Sequence, residues 1–441
     1  MKTTIFTNAL AGLALALSLH GVTAQAGSLQ DAVRDALDNN PQVLASQSEV
    51  VTREEDRNAA RSGYYPSLDV AASYGRQYTN RPATRAIYGD EFVDLDRQEV
   101  GVTLRQNVFN GFATSGEVER LDSRIDAAQS LAVDTRERIA LEAARAYLRV
   151  VREQQVVGLA QRFVATHVEI YDKIKLRSSS GLSKRADLDQ AEGRLAQARA
   201  NLVAAEANLT DAKIAFLRVV GRVAPTQMPE PAAIDALIPA SLDDALQAAE
   251  QSNPALVAAN AEVRAAQAGR RVASSGFYPA VDVVADRYWN DNIDGIEGAD
   301  DSYGAYVQLR FNLINGGADS ARKGAAASRL NQARDRRDDV QREVHQNVGF
   351  AWSAYESVNG RLDFLAEHAQ AAERTRDAYV QQFAIGQRTL LDLLDSENEL
   401  FVSRRDLVRA RLDRFAAQYQ IQSLLGRLQA TLLGGEAGAG G

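Results

Sequence analysis

The stretch from Phe112 to Ser180, FATSGEVERLDSRIDAAQSLAVDTRERIALEAARAYLRVVREQQVVGLAQRFVATHVEIYDKIKLRSSS, reads as one unbroken helix. It holds no proline, and its only glycines are Gly116 and Gly158. Val118, Ile125, Ala132, Ile139 and Ala146 fall seven apart, and after a slip of four the series resumes at Val150, Val157, Val164 and Tyr171. This is coiled-coil spacing with one stutter. At a rise of 1.5 Å per residue such a helix is about 100 Å long, several times an ordinary globular-protein helix. A rod of that length spans a distance. Taken alone it fits a purely structural coiled coil just as well, so the flanks must decide.

Upstream the period changes from helix to strand. Leu68, Val70, Ala72 and Tyr74 alternate with Asp69, Ala71, Ser73 and Gly75. After a polar, proline-containing loop, Val100, Val102, Leu104 and Val108 alternate with Glu99, Gly101, Thr103, Arg105 and Asn107. A period of two predicts a hairpin over about 66–109 with one apolar and one polar face. Each strand has the nine to eleven residues a tilted strand needs to cross a bilayer. Before the hairpin, Ser28 is a candidate N-cap for a short amphipathic helix that ends at Asn39-Asn40-Pro41, and a second helix runs from Pro41 to about Ser62. Downstream, the small-residue turn Ser178-Ser179-Ser180-Gly181-Leu182 closes the long helix, 112–180, and a return helix over 183–220 finishes at Gly221. Residues 222–240 hold Pro225, Pro229, Pro231 and Pro239 and read as a linker.

The second half then repeats the first. Ser241-Leu242-Asp243-Asp244-Ala245 echoes Ser28 to Ala32, Asn253-Pro254 echoes Asn40-Pro41, and Gly276-Phe277-Tyr278-Pro279 echoes Gly63 to Pro66, all at one offset. Beyond the hairpin the offset drops by eight, which shortens the second hairpin loop. At the new offset Arg310 to Gly316 matches Arg105 to Gly111, Gly386 matches Gly181, Asp392 matches Asp187, and Gly426 matches Gly221. The chain is thus an internal duplication: a first repeat over 27–221, the linker 222–240, and a second repeat over 241–427. The second repeat has a hairpin at about 279–314, a long helix over 317–385 and a return helix over 389–426. Residues 428–441 are left as a flexible tail.

Residues 1–26 carry a basic start, an apolar run from Ala9 to Leu19 and Ala24-Gln25-Ala26, the pattern of a secretory signal peptide cut after Ala26. No later run is long and apolar enough for a spanning helix, so membrane entry has to be by strands. The 441 residues include no cysteine, which excludes disulfides, thiolate metal sites and cysteine lipidation. A net charge of −8 with both signs interleaved gives no nucleic-acid footprint. His167, His345 and His368 have no ligand-type partner one turn away, and no phosphate loop or serine elbow is present, so no enzyme, catalytic residue, metal or cofactor is expected. The acidic run Asp291, Asp294, Glu297, Asp300 and Asp301 lacks EF-hand spacing and reads as a solvated loop.

Two hairpins give four strands, too few to close a barrel. Open strand edges are not tolerated in lipid, so other copies of the chain must complete the sheet. Tyr74, Tyr78, Tyr288, Trp289 and Tyr303 cluster near the loop ends, where an interfacial girdle would lie, although cross-strand packing in a soluble sheet would use aromatics too. Asp392 and Asp395 stand three apart and share one face of a helix start. They are either carboxylates favoured by the helix dipole or, in a trimer, two stacked acidic rings that impose cation preference on a pore.

The segments Ile385-Gly386-Gln387-Arg388-Thr389-Leu390-Leu391-Asp392-Leu393-Leu394-Asp395 and Ser180-Gly181-Leu182-Ser183-Lys184-Arg185-Ala186-Asp187-Leu188 carry a resemblance that extends from Ser28 to about Leu428. They look like the two helical tips of the TolC-like outer-membrane efflux and secretion proteins. The resemblance implies a mainly α protomer with long coiled-coil helices and two β-hairpins. Three copies would form a twelve-stranded outer-membrane β-barrel continued by a periplasmic α-helical barrel. It implies that Asp392 and Asp395 line the periplasmic aperture, that Arg388 and Asp187 tie neighbouring helices in the closed state, and that Gly181, Leu182, Gly386 and Gln387 dock a periplasmic adaptor. Phe383 stands where a family tyrosine joins the lock, so the gate is held by fewer or different hydrogen bonds. The absence of cysteine sets the chain apart from the branch with an acylated N-terminus. Asp96 to Val102, Asn110 to Ser115 and Arg185 to Glu192 resemble type I secretion members, which implies an inner-membrane ABC transporter and a large repeat-rich adhesin or toxin as cargo. The alternatives are the outlet of a multidrug pump, with an RND transporter, and a non-conducting trimeric envelope stalk.

Overall fold

A computed structural model describes residues 27–181 and 183–434. The signal-peptide reading of 1–26, the docking residue Leu182 and the last seven residues of the tail lie outside the described residues. The chain opens with α1 (Leu29–Asn39) and α2 (Pro41–Arg61). Ser28 starts α1 through a reciprocal capping box with Asp31, and Pro41 sits in the first turn of α2, where its missing N–H is no loss. Strand β1 (Ser67–Thr79), a short α3 (Pro82–Tyr88) and β2 (Val93–Asn110) form the first hairpin. Then come α4 (Ala113–Ser179), of 67 residues, and α5 (Arg185–Val220). The second repeat runs α6 (Leu242–Ser252), α7 (Pro254–Ala273), β3 (Ala280–Asp291), β4 (Ala299–Arg310), α8 (Ala318–Ala384) and α9 (Leu390–Leu424). Both long helices have the same length, as a duplication requires.

Within α4 the predicted seam points inward from Val118 through Ile125, Ala132, Ile139, Ala146 and Val150 to Val157, all buried, whereas Val164 and Tyr171 are only half-buried and Phe163, Ile170 and Ile174 take the inward places toward the tip. The main core lies at mid-height, where α1, α5, α9 and the 222–240 segment converge on α4 around Ile139, Tyr147, Phe216 and Tyr419. The Tyr147 hydroxyl donates to the Pro229 carbonyl at 2.7 Å, and the Gln154 amide donates to Thr226 at 3.0 Å and accepts from the Met228 N–H at 3.2 Å. Four prolines keep this segment from forming an α-helix, leaving one short 3-10 turn at Asp235–Leu237, and these bonds strap it across the waist. A smaller core joins α6, α8 and α9 through Val348, Trp352 and Ile421.

Two sequence expectations are corrected. Residues 428–433 are not a loose tail: α10 (Leu428–Leu433) is docked, with Leu428 and Leu432 buried in the main core. The Glu137 carboxylate accepts from the N–H groups of Leu428 (2.9 Å) and Gln429 (3.2 Å), filling the unpaired donors at the helix start. The second hairpin stops at Arg310, short of 314. Phe311 and Leu313 continue the alternation in sequence, but the turn around Gly316 and Gly317, both at positive φ, already bends the chain toward α8.

The four strands form one antiparallel sheet in the order β1-β2-β3-β4, so the two hairpins join through β2 and β3. Val70 pairs with Val102, Leu104 with Ala285, and Val283 with Val307, which collects the apolar residues on one face. Asp69, Thr103, Asp286 and Gly304 follow one another across the other. A bulge between Asn107 and Phe109 restores register, keeping Phe109 beside Val281 on the apolar side. The outer edges of β1 and β4 have no partner strand among the described residues. No described helix is long and apolar enough to cross a membrane.

Candidate functional site

Both helical turns far from the sheet are built on glycine at positive φ, Gly181 at 70° and Gly386 at 78°, with open space around each. The left-handed conformation lets the chain reverse without a Cβ clash. Behind each turn a carboxylate starts the return helix. Asp187 accepts from the Ser183 hydroxyl (2.8 Å) and the Lys184 N–H (3.2 Å); Asp392 accepts from the Thr389 hydroxyl (2.8 Å) and N–H (3.1 Å). These bonds from Thr389, with Arg388 nearby, hold the Asp392 carboxyl below the usual carboxylate range. Duplicated positions therefore have duplicated local roles.

The two tips are glued by an apolar cluster of Ile170, Ile174, Ala191, Leu390, Leu393 and Leu394, against which Phe383 packs. Over that cluster Arg194 of α5 donates to Asp395 of α9 at 2.7 Å. Asp395 and Asp392 also border a groove between α8 and α9 with Tyr379, His368 and Glu399, the last two in contact at 2.7 Å. A second carboxylate in this region, Glu397, is buried beside Arg376 at 3.6 Å, and burial raises its pKa.

The structure brings Asp392 and Asp395 together on one groove, as their spacing predicts. Within the protomer Arg388 and Asp187 bond inside their own turns. Arg388 donates to Gln382 at 3.0 Å and lies over the Tyr379 ring at 4.4 Å, and the Phe383 ring is covered by Arg177 at 5.5 Å. Gln387 is fixed by its N–H, which donates to the Gln382 carbonyl at 2.9 Å. Sequence reading missed Arg194, Tyr379 and Arg177. Tyr379 had a signal, since it stands one helical turn before Phe383 and supplies the ring face that the arginine uses. Arg194 had none, because its partner lies some two hundred residues away.

At the opposite end, Tyr74, Tyr78, Trp289 and Tyr303 lie on the apolar face of the sheet, with Arg287 over the Trp289 ring at 4.9 Å. Tyr288 does not belong to that group. Alternation puts it on the polar face, paired with Gly101, where its ring occupies the space a side chain at 101 would need. Within the acidic run, Asp294 pairs with Arg81 at 2.7 Å.

A sheet with one apolar face and two open edges, continued by helices about 100 Å long to an acidic tip, defines the protomer of an outer-membrane channel. A family model described as outer membrane efflux protein matches residues 32–222 and 245–427, and the chain belongs to that family. It is 28% identical over 440 residues to the outer membrane efflux protein BepC of Brucella suis biovar 1 (strain 1330), covering 98% of this chain and 94% of BepC. It is 23% identical over 426 residues to the proteases secretion protein PrtF of Dickeya chrysanthemi, covering 94% and 92% of the two chains. The crystal structure of the Campylobacter jejuni CmeC outer membrane channel superimposes with a TM-score of 0.81 at 14% identity, covering 93% of this chain and 89% of that one. The protein is an efflux or secretion channel of the outer membrane with a long periplasmic helical extension.

Proposed function

We propose that three copies of this chain assemble into the exit duct of a type I secretion system, which passes an unfolded polypeptide from an inner-membrane ABC transporter and its periplasmic adaptor to the outside. The observation that carries the assembly is the sheet: β1 and β4 keep unpaired edges beside an apolar face, and three copies joined edge to edge leave none. The tip supports a gate, because Asp392 and Asp395 border one groove and Arg194 pins Asp395 to the neighbouring return helix. The tip turns offer the adaptor an exposed surface at Gly181, Gly386 and Gln387. In this proposal the duct is passive, and the work of transport falls to the inner-membrane partner.

Secretion as the branch is supported by the segments around Asp96, Asn110 and Arg185 and by likeness to PrtF. The second reading, outlet of a multidrug pump with an RND transporter, is favoured by the likeness to BepC. A strain lacking the gene separates them. Loss of one large surface or secreted protein, with dye and detergent tolerance unchanged, is the expected result. Drug sensitivity with secretion intact would replace this reading by the second, and loss of both would mean a shared exit. A non-conducting stalk predicts an electrically silent protein in planar bilayers.

A further inference from the structure

The polar face of the sheet continues onto the helices. Asn110, on the polar face at the end of β2, donates to the Thr114 hydroxyl of α4 at 2.6 Å, and Asn315 donates to Asp319 in the first turn of α8. The apolar face leads elsewhere: Phe109 meets Phe112 edge-on at 5.2 Å, and Phe112 meets Tyr278 at 5.8 Å. Below the rim that includes Asp319, a groove of about 720 Å³ runs between α4, α7 and α8.

Five arginines border this groove: Arg120 and Arg124 from α4, and Arg322, Arg329 and Arg336 from α8. The last three fall seven apart and so form one stripe. Arg124 lies as far beyond Arg105 as Arg329 lies beyond Arg310, so the duplication places an arginine here twice. Arg120 is paired with Glu117, and Arg322 with Asp319 at 3.0 Å. Arg124, Arg329 and Arg336 have no carboxylate within ion-pair distance among the described residues, and Glu262 is the one further acid on the lining. Partial burial, with the Arg120 charge beside it, pushes the Arg124 guanidinium down from its ordinary value. Five arginines against the three carboxylates of Glu117, Asp319 and Glu262 leave an excess of positive charge, and such an excess marks a place where an anion lowers the energy.

We infer that this arginine-lined groove is a binding track for acidic polypeptide, taking the aspartate and glutamate side chains of a chain in transit. The shape selects an extended ligand. From Arg322 to Arg336 the stripe runs about 20 Å along the helix axis, the span of about six extended residues. Each guanidinium offers a planar fork that matches a carboxylate bidentately. Three copies would set three such tracks around the duct just below the barrel, opposite in sign to the acidic tip. The inference rests on the secretion reading for the carrier of the carboxylates, but the site itself does not.

The test is fluorescence anisotropy of a labelled twelve-residue oligoglutamate on the purified full-length protein in detergent at low salt. Arg124→Gln with Arg329→Gln is expected to weaken binding at least tenfold. Arg270→Gln with Arg334→Gln, on another groove between α7 and α8, is expected to leave it unchanged. Arg124→Lys with Arg329→Lys keeps the charge and guards against misfolding, and it should bind within a few-fold of the parent. Equal binding by the glutamine pair overturns the proposal, as does an equal loss from the Arg270 and Arg334 pair, or loss in the lysine pair with unchanged thermal melting. Bilayer recordings of the same preparations separate the two readings. A conducting channel without groove-dependent binding sinks the track alone, whereas a silent protein that still binds through the groove sinks the duct and keeps the site.

Discussion

Glu137 is a carboxylate whose environment opposes its charge. It is almost fully buried under the start of α10, and burial outweighs the two N–H groups that bond to it, so its pKa is pushed up to about 7. The sign follows from linkage. Between about pH 4.5 and 7 the folded chain holds a proton that the unfolded chain has released, so stability falls as pH rises through that window. At 1.36 kcal/mol per pKa unit the loss is on the order of 3 kcal/mol. Glu137→Gln keeps one acceptor and removes the titration. Its melting temperature is therefore expected to change less than the parent's between pH 5 and 8, and parallel curves would dismiss the assignment. Arg194 poses the complementary case of a half-exposed ion pair, whose value lies in position more than in energy. Arg194→Ala frees Asp395 from α5 without disturbing the apolar cluster beneath. Basal single-channel conductance should rise several-fold while thermal stability moves by less than about 1 kcal/mol.

At the scale of elements, the duplication offers an internal control. Gly111 and Gly316 precede the two long helices at matched positions and share φ of 67°. A side chain at 316 would meet open space, whereas one at 111 would come within 2.5 Å of the Ser275 carbonyl oxygen. Gly316→Ala carries only the left-handed backbone cost of about 1–2 kcal/mol. Gly111→Ala adds a clash with backbone that cannot swing away, so its melting temperature should fall several-fold further; equal losses would show that the crowding is relieved. The same contrast explains what the sequence could reveal. Helix α4 and the strands were legible because period seven and period two are written locally, and the repeat register doubled the signal. Helix α10 was not legible, because six residues carry no period and only Glu137, far away in the chain, completes its start. Tyr288 was misassigned because proximity to a loop end says nothing about which face alternation selects. The tip aspartates were legible as a pair; the arginine that holds one of them was not, since nothing local links α5 to α9.

At the scale of the whole molecule, charge is distributed by height. Asp392 and Asp395 lie at the tip, and the unpaired Arg124, Arg329 and Arg336 lie just below the sheet. In one protomer Asp392 is occupied with its helix start and Asp395 with Arg194, so neither acts alone as an ion filter. On the proposed trimeric assembly three copies of each carboxylate would face a common axis, and filtering is expected of those rings, whose fields add in a space with little water between them. Substituting Asp392→Asn and Asp395→Asn together removes six negative charges from a trimer while leaving amide oxygens to accept at the helix start. The reversal potential in a salt gradient should then shift from cation preference toward zero or beyond it, because the arginine level becomes the strongest remaining field. Neutralising Arg124 and Arg329 should move it the opposite way. If the aspartate pair leaves the reversal potential where it was, the narrowest charged point of the duct lies elsewhere, and the tip carboxylates serve the helix start alone.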